Sequence, residues 1–223
     1  NATGVIYEIY DKDGKLVDNG TVGPNGTIDV KLLPVGNYTV YWNNTVDSKH
    51  TPATNTSNIE ITPLPSAVEG VDVIVPYGTP IEVDYNSTNA TGVTYEIYDK
   101  DGKMVANGTV GPNGTIDVKQ LPVGNYTVNW TTVVDSNHIN STNSSTIEVL
   151  PIPTTTTVGN ATGYPGEEVT IPVNVTAEDG NPINGNVTIT LPDGTNKTVE
   201  IINGTGTTTW TIPDDYVPGD YPD

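Results

Sequence analysis

The sequence predicts an all-β protein built from tandem sandwich modules, and three observations support this prediction. Residues 1–62 return as residues 89–150, with 46 of 62 positions identical and no gap, so the chain contains a tandem repeat. Apolar and polar residues alternate over short segments, the period of strands with two different faces. Turns rich in Gly, Pro, Asn and Asp separate these segments at the regular spacing typical of a β-sandwich, and no segment keeps the 3.6-residue period of a helix.

The repeated unit reads as four strands joined by turns. In the first copy the strands are predicted at 5–10, 15–22, 27–31 and 38–42, and the turns at 11–14, 23–26 and 33–36. Asp-Gly and Asn-Gly pairs tolerate positive φ, and Pro presets φ in the second turn. Ile28 and Val30 are expected to face the core. We also expect Trp42, Trp130 and Trp210 to be substantially buried.

Proline-rich links divide the chain into three modules. The predicted boundaries are residues 1–62, 66–150 and 154–223, joined by stiff links at Pro63–Ser66 and Pro151–Pro153 that would arrange the modules as a rod. Two further strands, at 71–75 and 81–85, precede the second copy. The sequence therefore predicts one complete module, the second.

The outer modules are expected to be unfinished. Nothing equivalent to 71–85 precedes the first copy, and the divergent third module ends just after Tyr221, where the counterpart of the Tyr126 strand would start. Such modules would leave strand edges unpaired. We expect the 223 residues to be a window on a longer repeat protein. The rival interpretation is that neighbouring chains donate the missing strands.

One motif carries a family resemblance. A Leu-Pro-Val-Gly-Asn-Tyr-Thr-Val strand follows an Asn-Gly-Thr hairpin in both copies, and this pattern resembles the immunoglobulin-like repeats of microbial surface adhesins. The resemblance implies tandem immunoglobulin-like β-sandwiches, with Tyr38 and Tyr126 in tyrosine corners whose hydroxyls bond nearby backbone. The acidic, Asn- and Thr-rich, cysteine-free composition is most similar to adhesin-like surface proteins of methanogenic archaea.

Charge and composition limit the partners. The chain has 27 acidic residues against 8 basic ones, all lysine, and a net charge of −19. Such a chain lacks the clustered cations that nucleic acids and anionic membranes require. No apolar run reaches the roughly 18 residues of a membrane span. Cysteine is absent, but a module of about 90 residues can bury enough core without disulfides.

The clearest chemical signal is Asn-x-Ser/Thr, the acceptor of N-linked sugars. It begins at 19 of the 24 asparagines, where chance would give about 5. The competing explanation, that Asn-Gly-Thr is good turn chemistry, does not cover sequons in predicted strands. The candidate sites are Asn19, Asn25, Asn43, Asn55, Asn86, Asn107, Asn113, Asn129, Asn140, Asn174, Asn186, Asn196 and Asn203.

No metal or cofactor site is predicted, although calcium remains an alternative. The Asp-Lys-Asp-Gly segments at 11–14 and 99–102 resemble the start of a calcium loop but lack its later ligands, so hairpin turns are expected. Calcium at the links would use Glu69 or Asp72. His50 and His138 are expected in exposed loops, because one His and one Asp per module make a poor metal site.

Covalent crosslinks and catalysis are both disfavoured. In the surface modules that the sequence resembles, a Lys–Asn isopeptide bond uses a lysine in an early strand. Here residues 71–75 and 154–158 contain no lysine, and Lys31 and Lys119 are predicted to face outward. A narrow sandwich offers no cleft for nucleophilic or glycosidic catalysis. The predicted function is a non-enzymatic stalk or binding segment of an extracellular, cell-surface adhesin. The alternative is a subunit of an extracellular filament or sheath that self-associates. The sequence does not distinguish among a glycan, a protein and the cell wall as the ligand.

Overall fold

The structure is a computed structural model that describes residues 2–221, and all of its regular elements are strands. The first compact unit extends to Val75 and includes Thr79–Val149, and the second contains Pro76–Gly78 and the chain from Leu150 onward. No helix long and apolar enough to cross a membrane occurs among the described residues. The protein is therefore all-β, as predicted.

The first repeat forms a single antiparallel sheet. Its strands are β1 (Ala2–Tyr10), β2 (Leu16–Val22), β3 (Gly36–Val46) and β4 (Thr54–Ile61), in the order β2-β1-β3-β4. One face carries a small core of Tyr7, Ile9, Tyr38 and Val40. These residues are the inward-facing set that the alternation predicted.

The second module is a complete sandwich of two sheets. The link and first strands are β5 (Leu64–Pro65), β6 (Ala67–Gly70), β7 (Val73–Pro76) and β8 (Ile81–Thr88); the repeat itself supplies β9 (Gly92–Asp99), β10 (Met104–Val110), β11 (Gly114–Val118), β12 (Gly124–Val133), β13 (His138–Ile139) and β14 (Thr142–Leu150). The sheet β11-β8-β6 packs on the sheet β10-β9-β12-β14-β7. Val83 and Ile116 meet Val128, Trp130 and Ile147 in this core, which confirms the immunoglobulin-like sandwich.

The predicted third strand of the first copy is wrong. Residues 27–31 have the same sequence as residues 115–119, yet only the second copy forms a strand there, β11. β11 pairs with β8, in the register Ile116 to Val83, and no strand in residues 2–62 plays the role of β8. Ile28 and Val30 are still half-buried and pack against the core of the first sheet. The apolar pattern thus sets the facing of the segment, while the neighbouring strand sets its conformation.

The third module repeats the same plan with fewer strands. It contains β15 (Thr154–Val158), β16 (Glu168–Ala177), β17 (Gly185–Thr190), β18 (Asn196–Ile201) and β19 (Thr205–Thr211), arranged as the sheets β15-β16-β19 and β17-β18. Val169, Ile171, Val173 and Val175 alternate along β16 and are all buried. Within residues 154–221 no strand corresponds to β12 or β14, so β17 is paired on one side only.

The three tryptophans differ in burial. Trp130 has no exposed surface, because the Tyr85 ring stacks on it with centroids 5.2 Å apart and Gly70 lies against its indole. A Cβ on Gly70 would come within 2.1 Å of Trp130 Nε1. Trp42 and Trp210 are only half-buried. The prediction of three buried tryptophans is therefore right for Trp130 and too strong for the other two.

Candidate functional site

The candidate acceptor asparagines lie almost entirely on the surface. Among the thirteen, Asn43 is half-buried and every other one is exposed. Asn129, Asn174 and Asn186 lie within strands β12, β16 and β17, as the sequence indicated. They are spread over all three modules and are not brought together in one pocket. The side-chain amides are therefore accessible to modification site by site.

The two Pro-Asn-Gly-Thr sequons stand in different environments despite their identical sequence. In the second module the Ser87 amide donates to Asn113 Oδ1 over 2.7 Å, and Ser87 Oγ donates to the Pro112 carbonyl over 2.6 Å. These bonds fix the turn to β8. The Nδ2 atom of Asn113, which would carry a sugar, makes no hydrogen bond among the described residues. Asn25 lies in the exposed coil of the first copy.

The tyrosine corners are present in both copies. Tyr38 donates from its hydroxyl to the Pro34 carbonyl at 2.7 Å, and Tyr126 donates to the Pro122 carbonyl at 2.8 Å. Burial raises the pKa of Tyr126, and the charge of Asp99 raises it further. Tyr221 makes the same four-residue contact with the Val217 carbonyl, at 2.8 Å. Tyr221 is 45% exposed and lies outside any strand, so the third module shares this hydrogen bond but not the buried position of the other two tyrosines.

The Asp-Lys-Asp-Gly segments are hairpin turns. Asp11 Oδ1 accepts the backbone N–H groups of Asp13 and Lys15, at 3.0 and 2.9 Å, and Asp99 does the same in the second copy. Gly14 has a φ of 76°, which favours glycine. Among residues 2–221 there is no group of three or more His, Cys, Asp or Glu placed to hold a metal ion. Asp72 was named above as a possible calcium ligand at the first link. Its Oδ1 accepts hydrogen bonds from the Thr146 amide and hydroxyl.

Each histidine forms a pair with a nearby aspartate. Nδ1 of His138 lies 2.6 Å from Asp135 Oδ1, and Nδ1 of His50 lies 2.5 Å from Asp47 Oδ1. The hydrogen bond from the histidine lowers the pKa of each aspartate, and a backbone N–H adds to the effect. His50 is in an exposed loop as predicted. His138 instead begins the short strand β13 and is half-buried, because this strand pairs with the link before the second module.

The first proline link is a bonded element. Leu64 donates its amide to the Asn137 carbonyl at 2.9 Å, and Ser66 donates to the Ile139 carbonyl at 3.1 Å, giving a short parallel pair. The buried Ser66 hydroxyl also lies 2.7 Å from the Thr132 hydroxyl. The first link was predicted as a stiff spacer, and in the structure its strand β5 is hydrogen-bonded to β13 of the second module.

Sequence reasoning predicted the link but missed its bonding, because the bonded residues are 66 to 73 positions apart in the sequence. One signal was available. Val128, Trp130 and Thr132 occupy alternate positions of β12 and all face inward, so Thr132 is a polar residue in a core position. Buried hydroxyls require a partner. Thr132 therefore indicated a buried polar contact, though not its identity.

The lysines do not approach the core. Seven of the eight are exposed, including Lys31 and Lys119, which face outward as predicted. The half-buried Lys197 donates from its amine to the Thr209 carbonyl oxygen. None of the eight is placed as an inward lysine of an early strand.

Part of the chain matches a family model. Residues 80–162 match the SpaA model, described as a prealbumin-like fold domain. This range contains β8 to β14 and the first strand of the third module. The match supports the sandwich fold of the second module. No curated protein matches the chain.

Several solved structures resemble the chain at low identity. The fibronectin(III)-like modules of CbhA from Clostridium thermocellum are 14% identical, with a TM-score of 0.31, over 67% of this chain and 79% of that one. The FN1–FN3 domains of chicken CNTN1 are 11% identical, with a TM-score of 0.29, over 95% and 79%. The BSP domain of a biofilm associated protein is 22% identical, with a TM-score of 0.26, over 68% and 25%.

Proposed function

We propose that this chain is a non-enzymatic repeat segment, a stalk or binding region, of an extracellular cell-surface adhesin of the methanogen adhesin-like class. The observation that carries the proposal is the near-identical tandem repeat with its tyrosine corners, in which the second copy completes a sandwich that matches a SpaA domain. Repetition of one module extends a chain without adding a new chemistry.

The bonded link suits a segment that transmits force. A pull on the chain before the second module would have to break the pair of Leu64 and Ser66 with Asn137 and Ile139, together with the buried Ser66–Thr132 contact. These bonds would be loaded together. A module without cysteine depends on such bonds and on its apolar core for strength.

The surface chemistry suits an exposed, crowded location. A net charge of −19 keeps neighbouring chains apart, and exposed sequons on every module offer attachment points for neutral, hydrated sugars. Both features protect strand edges and turns from proteases and from association.

Protease shaving of intact source cells tests this proposal. Peptides from residues 1–223 should be released before lysis, while a cytosolic marker enzyme stays in the cells. Release only after lysis would contradict an extracellular location. Turnover of a hydrolase substrate by the purified chain, abolished by a single substitution, would contradict the non-enzymatic role.

A filament or sheath subunit is a second candidate, and residues 27–31 are where a strand could be added. Residues 27–31 can form a strand, as β11 shows, but have no strand beside them in the described chain. A strand from another molecule would fit there. Light scattering and negative-stain microscopy of the purified chain separate the two roles: ordered polymers support the filament, and single particles at all concentrations support the stalk.

A further inference from the structure

The outer face of the first sheet contains an open hollow of about 440 Å³. It lies over the cross-strand ladder in which Glu8 of β1 pairs with Tyr41 of β3. Besides Gly14, it is lined by the polar and aromatic residues Glu8, Tyr10, Asp11, Lys12, Thr39, Tyr41 and Asn43. None of them belongs to the buried core of this sheet.

Two tyrosines provide an aromatic surface in this hollow. The rings of Tyr10 and Tyr41 meet edge to face, with centroids 5.5 Å apart and planes at 87°. The Tyr10 hydroxyl donates to Glu8 Oε2 at 3.3 Å, which holds its ring in place. Burial and the Glu8 charge raise the pKa of Tyr10. Tyr41 keeps 46% of its surface exposed, so a ligand can reach its ring.

The polar residues around the rings combine donors and acceptors. Glu8 accepts, the Lys12 amine donates, and the Thr39 hydroxyl and Asn43 amide do both. A sugar presents this mixture, because each hydroxyl donates and accepts, while its C–H groups can stack on the negative face of an aromatic ring. The Lys12 amine is paired with Asp13 Oδ1 at 3.0 Å, so Glu8 and Asp11 leave the hollow acidic and, with the net charge of −19, disfavour an anionic ligand. A neutral ligand rich in hydroxyls can donate to these acceptors and stack on the rings without a charge to desolvate.

The second copy supplies a natural comparison. It keeps Glu96 and Tyr98, with the Tyr98 hydroxyl 2.9 Å from Glu96 Oε2. Asn129 replaces Tyr41, and Thr131 replaces Asn43. The aromatic pair is therefore a property of the first copy alone, although the backbone beneath it is the same.

We propose that the hollow between Tyr10 and Tyr41 binds the pyranose ring of a neutral saccharide. The site is independent of the stalk role and would exist in the purified chain wherever the protein resides. Two sources can supply the pyranose ring. One is a glycan from another molecule. The other is a sugar on Asn43 itself, since Asn43 follows Tyr41 by two residues on the same face of β3.

Titration of the unglycosylated chain with neutral tetrasaccharides tests the proposal. With cellotetraose, chitotetraose and mannotetraose, at least one should shift the amide NMR signals of β1 and β3 with a Kd of about 1 mM. Tyr41→Asn installs the residue of the second copy, so it should fold normally and weaken binding at least about tenfold. No shift with any of the three up to about 10 mM, or equal binding by Tyr41→Asn, would overturn the proposal.

The second copy allows a gain of function. Asn129→Tyr with Thr131→Asn rebuilds the aromatic pair beside Tyr98, and it should add a second site whose shifts appear in β9 and β12. To separate the two sources, the glycosylated chain is compared with its Thr45→Val variant, which loses the Asn43 sequon but keeps Asn43. Binding only in Thr45→Val identifies the chain's own sugar as the occupant, and binding in both identifies an external glycan.

Discussion

Trp130 and Trp42 occupy the same position in nearly identical modules, yet only Trp130 is fully buried. The difference lies in what covers the indole. Tyr85 and Gly70 cover Trp130 from strands that precede the second copy, and Tyr95 packs beside it with centroids 6.1 Å apart. Trp42 has only the equivalent of Tyr95, which is Tyr7, at 6.2 Å. Burial at this position is thus a property of the module, not of the residue.

Truncation of these two residues should therefore have unequal effects. Trp130→Ala should lower the free energy of unfolding of the second module by roughly 3–5 kcal/mol, because it empties a closed core site. Trp42→Ala should cost less than half as much. Urea unfolding followed by hydrogen exchange within each module measures both. Equal losses would show that the cover over Trp130 contributes little.

The tyrosine corners allow a single hydrogen bond to be removed. Tyr126→Phe deletes the hydroxyl that bonds the Pro122 carbonyl and should destabilise the second module by about 1 kcal/mol. Tyr38→Phe should have a similar effect in the first copy. Tyr164→Phe is the control, since Tyr164 is 80% exposed. Calorimetric melting curves that do not separate Tyr126→Phe from this control would argue against a stabilising corner.

The histidine–aspartate pairs predict an acid effect. The pKa of Asp135 is lowered in the folded state, chiefly by the bond from His138, so its contribution to stability is complete above its unfolded pKa. That contribution is lost as pH falls below about 4 and through the folded pKa. Asp135→Asn should lower the melting temperature at neutral pH and flatten its fall below about pH 4. A difference in melting temperature between variant and parent that stays the same at neutral and acid pH would contradict the linkage.

At the scale of the strand, the alternating pattern predicted most elements, because residues that face the core recur every second position. The same logic failed at residues 27–31, since a strand also needs a neighbour for its backbone hydrogen bonds. The sequence of residues 27–31 does not show whether a neighbouring strand is present. The short pair of β5 with β13 was missed for the same reason.

Hydrogen exchange can measure this dependence on a neighbour directly. The amides of β11 should be protected by pairing with β8, whereas residues 27–31 should exchange at rates close to those of an unfolded chain. Peptides that run through Leu32 or Gln120 distinguish the two copies by mass. Equal protection of both segments would show that residues 27–31 have found a partner strand, as the filament alternative requires.

Across the whole molecule, the sequence predicted which asparagines could accept sugars, and the structure leaves twelve of the thirteen candidates exposed and Asn43 half-buried. It could not predict the hollow at Tyr10 and Tyr41. That arrangement depends on the register between β1 and β3, which brings Glu8 opposite Tyr41. The alternation of apolar and polar residues shows which face of the sheet a residue occupies. Only the pairing of the strands shows which residues lie beside it.

Sugars should be found first at exposed sequons of the second module. Asn113 lies in a turn, whereas Asn107 lies within β10, with its Nδ2 3.0 Å from Met104 Sδ. We expect both to be occupied in native material, because both side chains are exposed and Nδ2 of Asn113 makes no hydrogen bond among the described residues. Enzymatic or chemical deglycosylation should then speed proteolysis at nearby turns. Thr109→Val and Thr115→Val remove each sequon while keeping the asparagine, and serve as matched controls in peptide mapping. Unmodified Asn107 and Asn113 peptides in native protein would contradict this expectation.

We propose that these repeats are a glycosylated segment on the outside of the cell. Glycopeptide mass spectrometry of material released from intact source cells by brief proteolysis tests location and modification together. We expect peptides from all three modules to appear before lysis, with sugars on exposed sequons. Peptides that appear only after lysis, with every sequon bare, would contradict this proposal.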